Sequence, residues 1–137
     1  MDQQVINKHV AQAVTIMRET IELAYKERRP FSSAALLLGT VEVNGAPLDQ
    51  PVLISLTPEC ITPALTLMQF NQLLLEAAGE SKAVAIVIGF YATPIICVET
   101  RTGWTESRGK LTTTGWKWGE PLRVGPLSGP SILPCYN

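Results

Sequence analysis

The sequence predicts a single α+β domain spanning residues 1–137, with the element order α-β-β-α-β-β(-β), and three observations lead to it. Residues 3–28 repeat apolar side chains at the spacing of an amphipathic helix. Residues 34–56 contain two apolar stretches separated by turn residues, which is typical of a hairpin. Residues 83–98 are almost wholly apolar and rich in β-branched side chains, which favours buried strands. A mainly antiparallel sheet with both helices packed on one face is the simplest assembly.

The first element is a helix predicted from Gln3 to Arg28. Asp2 can cap its start, and Pro30 ends it by restricting the preceding residue. Ile16 and Tyr25 widen the apolar surface, so we expect this helix to touch more than one layer. Its main buried stripe is predicted to consist of Ile6, Val10, Ala13, Met17, Ile21 and Ala24.

Two strands and a second helix follow. The strands are predicted at residues 34–43 and 51–56, joined by a connection longer than a two-residue turn, although Asn44-Gly45 is a good turn pair. The helix is predicted from Pro63 to Ala78, because a threonine in front of this proline provides an N-cap. Gly79 is its expected C-terminal stop.

The apolar run of residues 83–98 fixes the centre of the fold. Its 16 residues fall short of the roughly 20 that a membrane span needs, so we predict no span. Two strands, Ala83–Ile88 and Ile95–Thr100, explain the pattern. Because both are apolar at nearly every position, we expect both of their faces to be covered.

The composition changes after residue 103. A fifth strand is predicted at residues 108–114, at the edge of the sheet. Proline and glycine punctuate residues 119–137, which predicts an extended, irregular tail that lies over a folded body of residues 1–118 or reaches a neighbouring chain. This tail lacks the apolar residues for a core of its own, so no second domain is expected.

Composition narrows the class of protein. The net charge of −1 argues against nucleic-acid binding, which requires a clearly basic surface. Three cysteines without Cys-x-x-Cys spacing fit a reducing compartment, and the N-terminus lacks the pattern of a signal peptide, so we predict a cytoplasmic location. Charged residues make up only 17% of the chain, which leaves little polar surface and favours a homodimer.

Several chemistries find no support in the sequence. The only histidine is His9 and the cysteines are dispersed, so neither a metal site nor a cofactor is predicted. Phosphate-binding glycine motifs and the nucleophile elbow of hydrolases do not occur.

One segment, Glu99 to Arg123, mixes indoles with charged side chains. Indole faces can stack on flat or cationic groups, and aromatic residues beside arginine are typical anchors at protein interfaces. Alternatively, the indoles cap the open side of the sheet while the charges face water. The candidate binding residues are Glu99, Arg101, Trp104, Glu106, Arg108, Trp116 and Trp118.

The leading hypothesis is therefore a non-enzymatic, cytoplasmic and homodimeric binding or interaction module that holds a small ligand or a protein partner with this segment. The alternative is a small hydrolase, isomerase or transferase with an apolar aromatic pocket, in which Glu99 and Glu106 act as acid and base. A third possibility is that the tail docks on another protein as an extended peptide.

Overall fold

The computed structural model describes residues 3–31, 33–40, 42–47, 51–56, 67–100 and 103–123. These residues form the single α+β domain that the sequence predicts. The helices are α1 (Gln3–Glu27) and α2 (Leu67–Ser81), and the strands are β1 (Ser33–Gly39), β2 (Glu42–Val43), β3 (Ala46–Pro47), β4 (Val52–Leu56), β5 (Ala85–Phe90), β6 (Ile95–Thr100), β7 (Gly103–Thr112), β8 (Gly115–Trp118) and β9 (Leu122–Arg123).

Seven of the described strands form one antiparallel sheet in the order β4-β1-β5-β6-β7-β8, with β9 also paired to β7. Strands β8 and β9 pair with successive parts of β7, so together they make one interrupted strand at this edge. Strand β7 is therefore longer than the strand predicted at 108–114, and it does not form the edge of the sheet.

Strands β2 and β3 form a separate hairpin within the connection from β1 to β4. Its turn residues Asn44 and Gly45 have φ angles of 54° and 80°, and positive φ at both positions is what a type I′ turn requires. The strand predicted at 34–43 therefore ends at Gly39, and the connection to β4 is longer than the predicted residues 44–50 and contains a two-residue turn.

The two helices pack on opposite faces of the sheet, which corrects the prediction that they share one face. Every residue of β1 is buried, so both faces of this strand need a cover. Leu36 packs with Met17 of α1, whereas its neighbour Leu37 packs with Leu74 of α2. Successive side chains of a strand point to opposite faces, so the two helices lie on what we call the α1 face and the α2 face.

Helix α1 agrees with its prediction to within one residue. Its buried side chains are Ile6, Ala13, Met17 and Ile21, which are four of the six members of the predicted stripe; Val10 and Ala24 are half-buried. The helix ends where Arg28 takes a left-handed φ of 55°.

Helix α2 continues through Gly79, the predicted stop, and ends at the next left-handed residue. Lys82 has a φ of 51°, and the Ala83 N–H donates a hydrogen bond of 3.0 Å to the Ala78 carbonyl. This is the Schellman arrangement, which a lysine provides here instead of a glycine. Residues 63–66, where the helix was predicted to begin, lie outside the described residues.

The predicted tail is only partly described. Leu122–Arg123 belong to the sheet as β9, and residues 124–137 lie outside the described residues. Neither α1 nor α2 combines the length and the apolar character that crossing a bilayer would take.

Helix α1 approaches the sheet most closely at Gly89 of β5. A Cβ atom at this position would lie 2.6 Å from the Met17 Cγ and 3.3 Å from the Ile21 Cδ1. The first distance is shorter than any relaxed carbon–carbon contact, so the absence of a side chain at Gly89 sets how closely α1 packs.

We expect Gly89→Ala to lower the free energy of unfolding by about 1–3 kcal/mol, because the methyl group pushes α1 away from the sheet. The matched control is Gly79→Ala, where no atom of the described residues lies within 4 Å of the new Cβ. Since Gly79 is helical, that variant should be stabilised by roughly 0.5–1 kcal/mol. Urea unfolding followed by circular dichroism measures both. A Gly89→Ala protein as stable as the parent would contradict the close packing.

Candidate functional site

The structure divides the predicted site residues between the two faces of the sheet. Glu99 pairs with Ile86 on one side and with Trp104 on the other, and Ile86 belongs to the core under α2. Directly paired residues share a face, so Glu99 and Trp104 lie on the α2 face. Trp116 and Trp118 pack against the core under α1. The predicted residues therefore do not form one site, and Arg101 lies outside the described residues.

The residues on the α2 face form what we call the β6–β7 cluster. Cys97 pairs with Glu106, next to the pair of Glu99 and Trp104. Glu99 is only 1% exposed. Glu106 and Arg108 form an ion pair of 3.7 Å in which the arginine side chain is 69% exposed, and such exposed pairs contribute little stability. The β6–β7 cluster is thus a buried carboxyl side chain and a thiol beside a solvated ion pair. It consists of Cys97, Glu99, Trp104, Glu106 and Arg108.

The thiol of this cluster is not activated. Burial raises the pKa of Cys97 to about 11, and the negative charge of Glu106 adds to the rise. A hydrogen bond from Trp104 and the charge of Arg108 act in the opposite direction, with smaller effects. Because the thiolate is the nucleophilic form, Cys97 is a poor nucleophile at neutral pH.

On the α1 face, five rings from four segments form an aromatic cluster. Tyr25 of α1 is its centre: its ring centroid lies 4.3 Å from that of Tyr91 and 5.0 Å from that of Trp116. The Tyr25 hydroxyl also donates a hydrogen bond to the Tyr91 carbonyl. Trp116 and Trp118 stack with an interplanar angle of 15° and centroids 5.8 Å apart. These contacts hold the Trp116 ring on two sides. The aromatic cluster consists of Tyr25, Phe31, Tyr91, Trp116 and Trp118.

Trp118 ties the β7–β8 hairpin to α1. Its indole Nε1 donates a hydrogen bond of 3.1 Å to the Glu22 carboxylate, and the Arg18 guanidinium lies 5.8 Å from its ring centroid. The indole lies over Gly109, where a Cβ atom would be 2.7 Å from the ring. The glycine at this position in β7 therefore makes room for the Trp118 ring.

Between the outer side of α1 and Trp116 lies a shallow, open groove of about 410 Å³, which we call the α1 groove. Leu23 is its most prominent apolar residue, with 53% of its surface exposed. Three charged residues of α1 surround Leu23 at helical spacing, so the groove has an apolar middle and a charged rim. It is lined by Glu19, Glu22, Leu23, Lys26 and Trp116.

The sequence prediction found the indole side of this groove but missed the helix side. Charged positions of an amphipathic helix ordinarily face solvent, so the charged residues of α1 alone do not indicate a site. The available signal was the apolar residues outside the buried stripe. Ile16 and Leu23 lie seven residues apart on the outer side of α1, and both are exposed in the structure.

The α1 groove has the composition of an interface. An ordered aromatic ring and an exposed leucine form its middle, and at its rim Glu19 and Lys26 face water while Glu22 accepts the hydrogen bond from Trp118. Protein interfaces show this arrangement of an apolar centre with aromatic anchors and a polar rim. Within the described part of the chain, no group of three or more His, Cys, Asp or Glu side chains is placed to hold a metal ion.

Comparisons with known proteins assign no family. No family model matches the chain, and neither the curated proteins nor the solved structures gave a match. The residues of the α1 groove and the β6–β7 cluster therefore provide the indications of function.

The raised pKa of Cys97 predicts slow alkylation of the folded protein. At pH 8 we expect iodoacetamide to modify Cys97 much more slowly in buffer than in about 6 M urea, which unfolds the chain. The reason is that the buried thiol of the folded protein keeps its proton. The modification should accelerate as the pH rises towards 11, the value to which burial raises the pKa. Peptide mass spectrometry reads Cys97 separately from the other cysteines. Equal rates in buffer and urea at pH 8 would contradict this prediction.

The tie between Trp118 and Glu22 predicts a coupled effect on stability. Trp118→Phe removes the Nε1 donor, and Glu22→Ala removes the acceptor. A hydrogen bond to a charged group contributes about 1.5–3 kcal/mol when well buried, and less at this partly exposed position, so we expect a coupling of about 1 kcal/mol. Urea unfolding of both single variants and the double variant measures it. Additive effects would mean that the hydrogen bond adds no stability.

Proposed function

We propose that this protein is a non-enzymatic interaction module that buries the α1 groove against a partner. The observation that carries the proposal is the exposed Leu23 beside Trp116, whose ring the contacts with Tyr25 and Trp118 already hold in place. An ordered aromatic anchor loses little conformational entropy on binding, and this favours association.

The energetic reason is the apolar surface. Burying apolar surface is favourable by about 25 cal/mol for each Å² removed from water, and Leu23 is still 53% exposed in the single chain. A partner that covers Leu23 and the free side of Trp116 gains the free energy of burying this remaining surface. The low charge content of 17% supports the same conclusion, because the chain has few charged residues with which to solvate its surface.

The enzyme hypothesis has less support. Glu99 and Glu106 do share the α2 face, with Trp104 next to Glu99 across the sheet. Trp116 and Trp118, which were expected to shape the pocket, lie on the other face.

Three cysteines without a pairing pattern favour the cytoplasm as the location of the proposed module.

The test is native mass spectrometry on the untagged full chain, purified gently. We expect the chain of 14.9 kDa to carry an additional mass, and we expect Leu23→Asp to remove it by placing a charge in the middle of the groove. The matched control is Leu75→Asp, since Leu75 of α2 is 44% exposed on the other side of the sheet. That variant should keep the additional mass.

Circular dichroism has to show that both variants remain folded, which their exposed positions favour. If the parent protein at micromolar concentration is detected only with the mass of a single chain, the proposal is contradicted. An additional mass that Leu23→Asp leaves in place would also contradict it.

A further inference from the structure

We infer that the partner of the α1 groove is a second copy of this chain, with the two α1 helices antiparallel across a twofold axis near Leu23. This inference rests on the proposed function and adds the identity of the partner and the way it docks.

The charge pattern along α1 is the first argument. Glu19 and Lys26 carry opposite charges on either side of Leu23, seven residues apart, which corresponds to about 10 Å along a helix. Both side chains are exposed. Within the described residues, the ion pairs are those of Arg29 with Glu27 and of Arg108 with Glu106, so neither Glu19 nor Lys26 takes part in one. The groove thus has an acidic end and a basic end.

A twofold axis matches these ends with each other. When two α1 helices run antiparallel and cross between positions 22 and 23, Glu19 lies opposite the partner subunit's Lys26. The symmetry repeats that pair, so each copy gives and receives the same contact, as in every isologous interface. Leu23 then lies against the partner subunit's Leu23 near the axis, and Trp116 flanks the helices.

The surface suits a second copy better than a small ligand. The groove is open and shallow, and a small ligand would leave most of itself in water there. By contrast, α1 has 25 residues and a length of about 37 Å, which lets a second helix lie along it. The charges of Glu19 and Lys26 are complementary to themselves under a twofold rotation, so they require no other protein to pair with. Glu22, the third charged residue of the groove, already accepts the hydrogen bond from Trp118.

Charge reversal provides the test. Sedimentation velocity on the full chain measures the dissociation constant of the dimer, with a mass of twice 14.9 kDa. In Glu19→Lys, two lysines face each other at each end, so the dissociation constant should rise roughly tenfold or more. Lys26→Glu should do the same through two glutamates. The double variant Glu19→Lys, Lys26→Glu restores opposite charges and should dimerise like the parent.

Lys8→Glu is the matched control. Lys8 is an exposed lysine on the same side of α1, eighteen residues before Lys26, and in the inferred register it faces no partner charge. Its reversal should leave the dissociation constant unchanged. If Lys8→Glu weakens the dimer as much as Lys26→Glu does, the helices pair in another register and the inference is wrong.

The remaining outcomes separate this inference from the proposed function. A dimer that neither single reversal weakens, or that the double variant fails to restore, overturns the inferred geometry. An additional mass that depends on Leu23 but differs from a second copy overturns this inference while the proposed function stands. A bare monomer overturns both.

Discussion

The fold depends on two strands, β1 and β5, neither of which has a polar face that could be exposed to solvent. All seven residues of β1 are buried, and so are five of the six residues of β5. A strand with one polar face can leave that face in solvent, but these strands need an apolar layer on both faces. One helix can supply only one layer. The chain therefore places α1 before the first hairpin and α2 after it on opposite faces, and this requirement outweighs the simpler arrangement with both helices side by side.

The alternation of side chains between the two faces of a strand determines which C-terminal residues lie together. In β7, the side chains of Trp104, Glu106 and Arg108 occupy alternate positions and share the α2 face. Trp118 pairs with Gly109, an intervening position, and so lies on the α1 face. A segment that is uniform in composition is therefore divided by the sheet into two surfaces with different properties. One is a buried thiol and carboxyl group beside a solvated ion pair, and the other is a set of stacked rings against a helix.

Sequence patterns predicted the features that depend on residues close together in the chain. The bounds of α1, its buried stripe and the two central strands followed from periodicity and β-branched content. The face that each helix covers could not be predicted, because the apolar pattern of Leu36 and Leu37 is the same whether a helix or a second layer covers it. The α1 groove could not be predicted either, because Trp116 reaches α1 only through long-range contacts of its hairpin, such as the hydrogen bond from Trp118 to Glu22, which are 96 residues apart in sequence. Besides Ile16 and Leu23, Tyr25 gave an advance signal: this aromatic residue lies outside the buried stripe of α1, and in the structure it contacts Tyr91 and Trp116.

The position of α1 explains why its outer side is the proposed interaction surface. Gly89 allows α1 to pack close to the sheet, and the contacts of Trp118 and Tyr25 hold the β7–β8 hairpin against α1. The position of α1 is therefore fixed within the single chain. Exposed ion pairs contribute at most about 1 kcal/mol each, so Glu19 and Lys26 cannot supply the affinity of an interface. In the proposed dimer, their contribution is to select the partner and its orientation, because a mismatched charge costs more than a matched one gains. The affinity must come from the apolar area of Leu23 and Trp116, and the fixed position of Trp116 is what makes that area available at a low entropic cost.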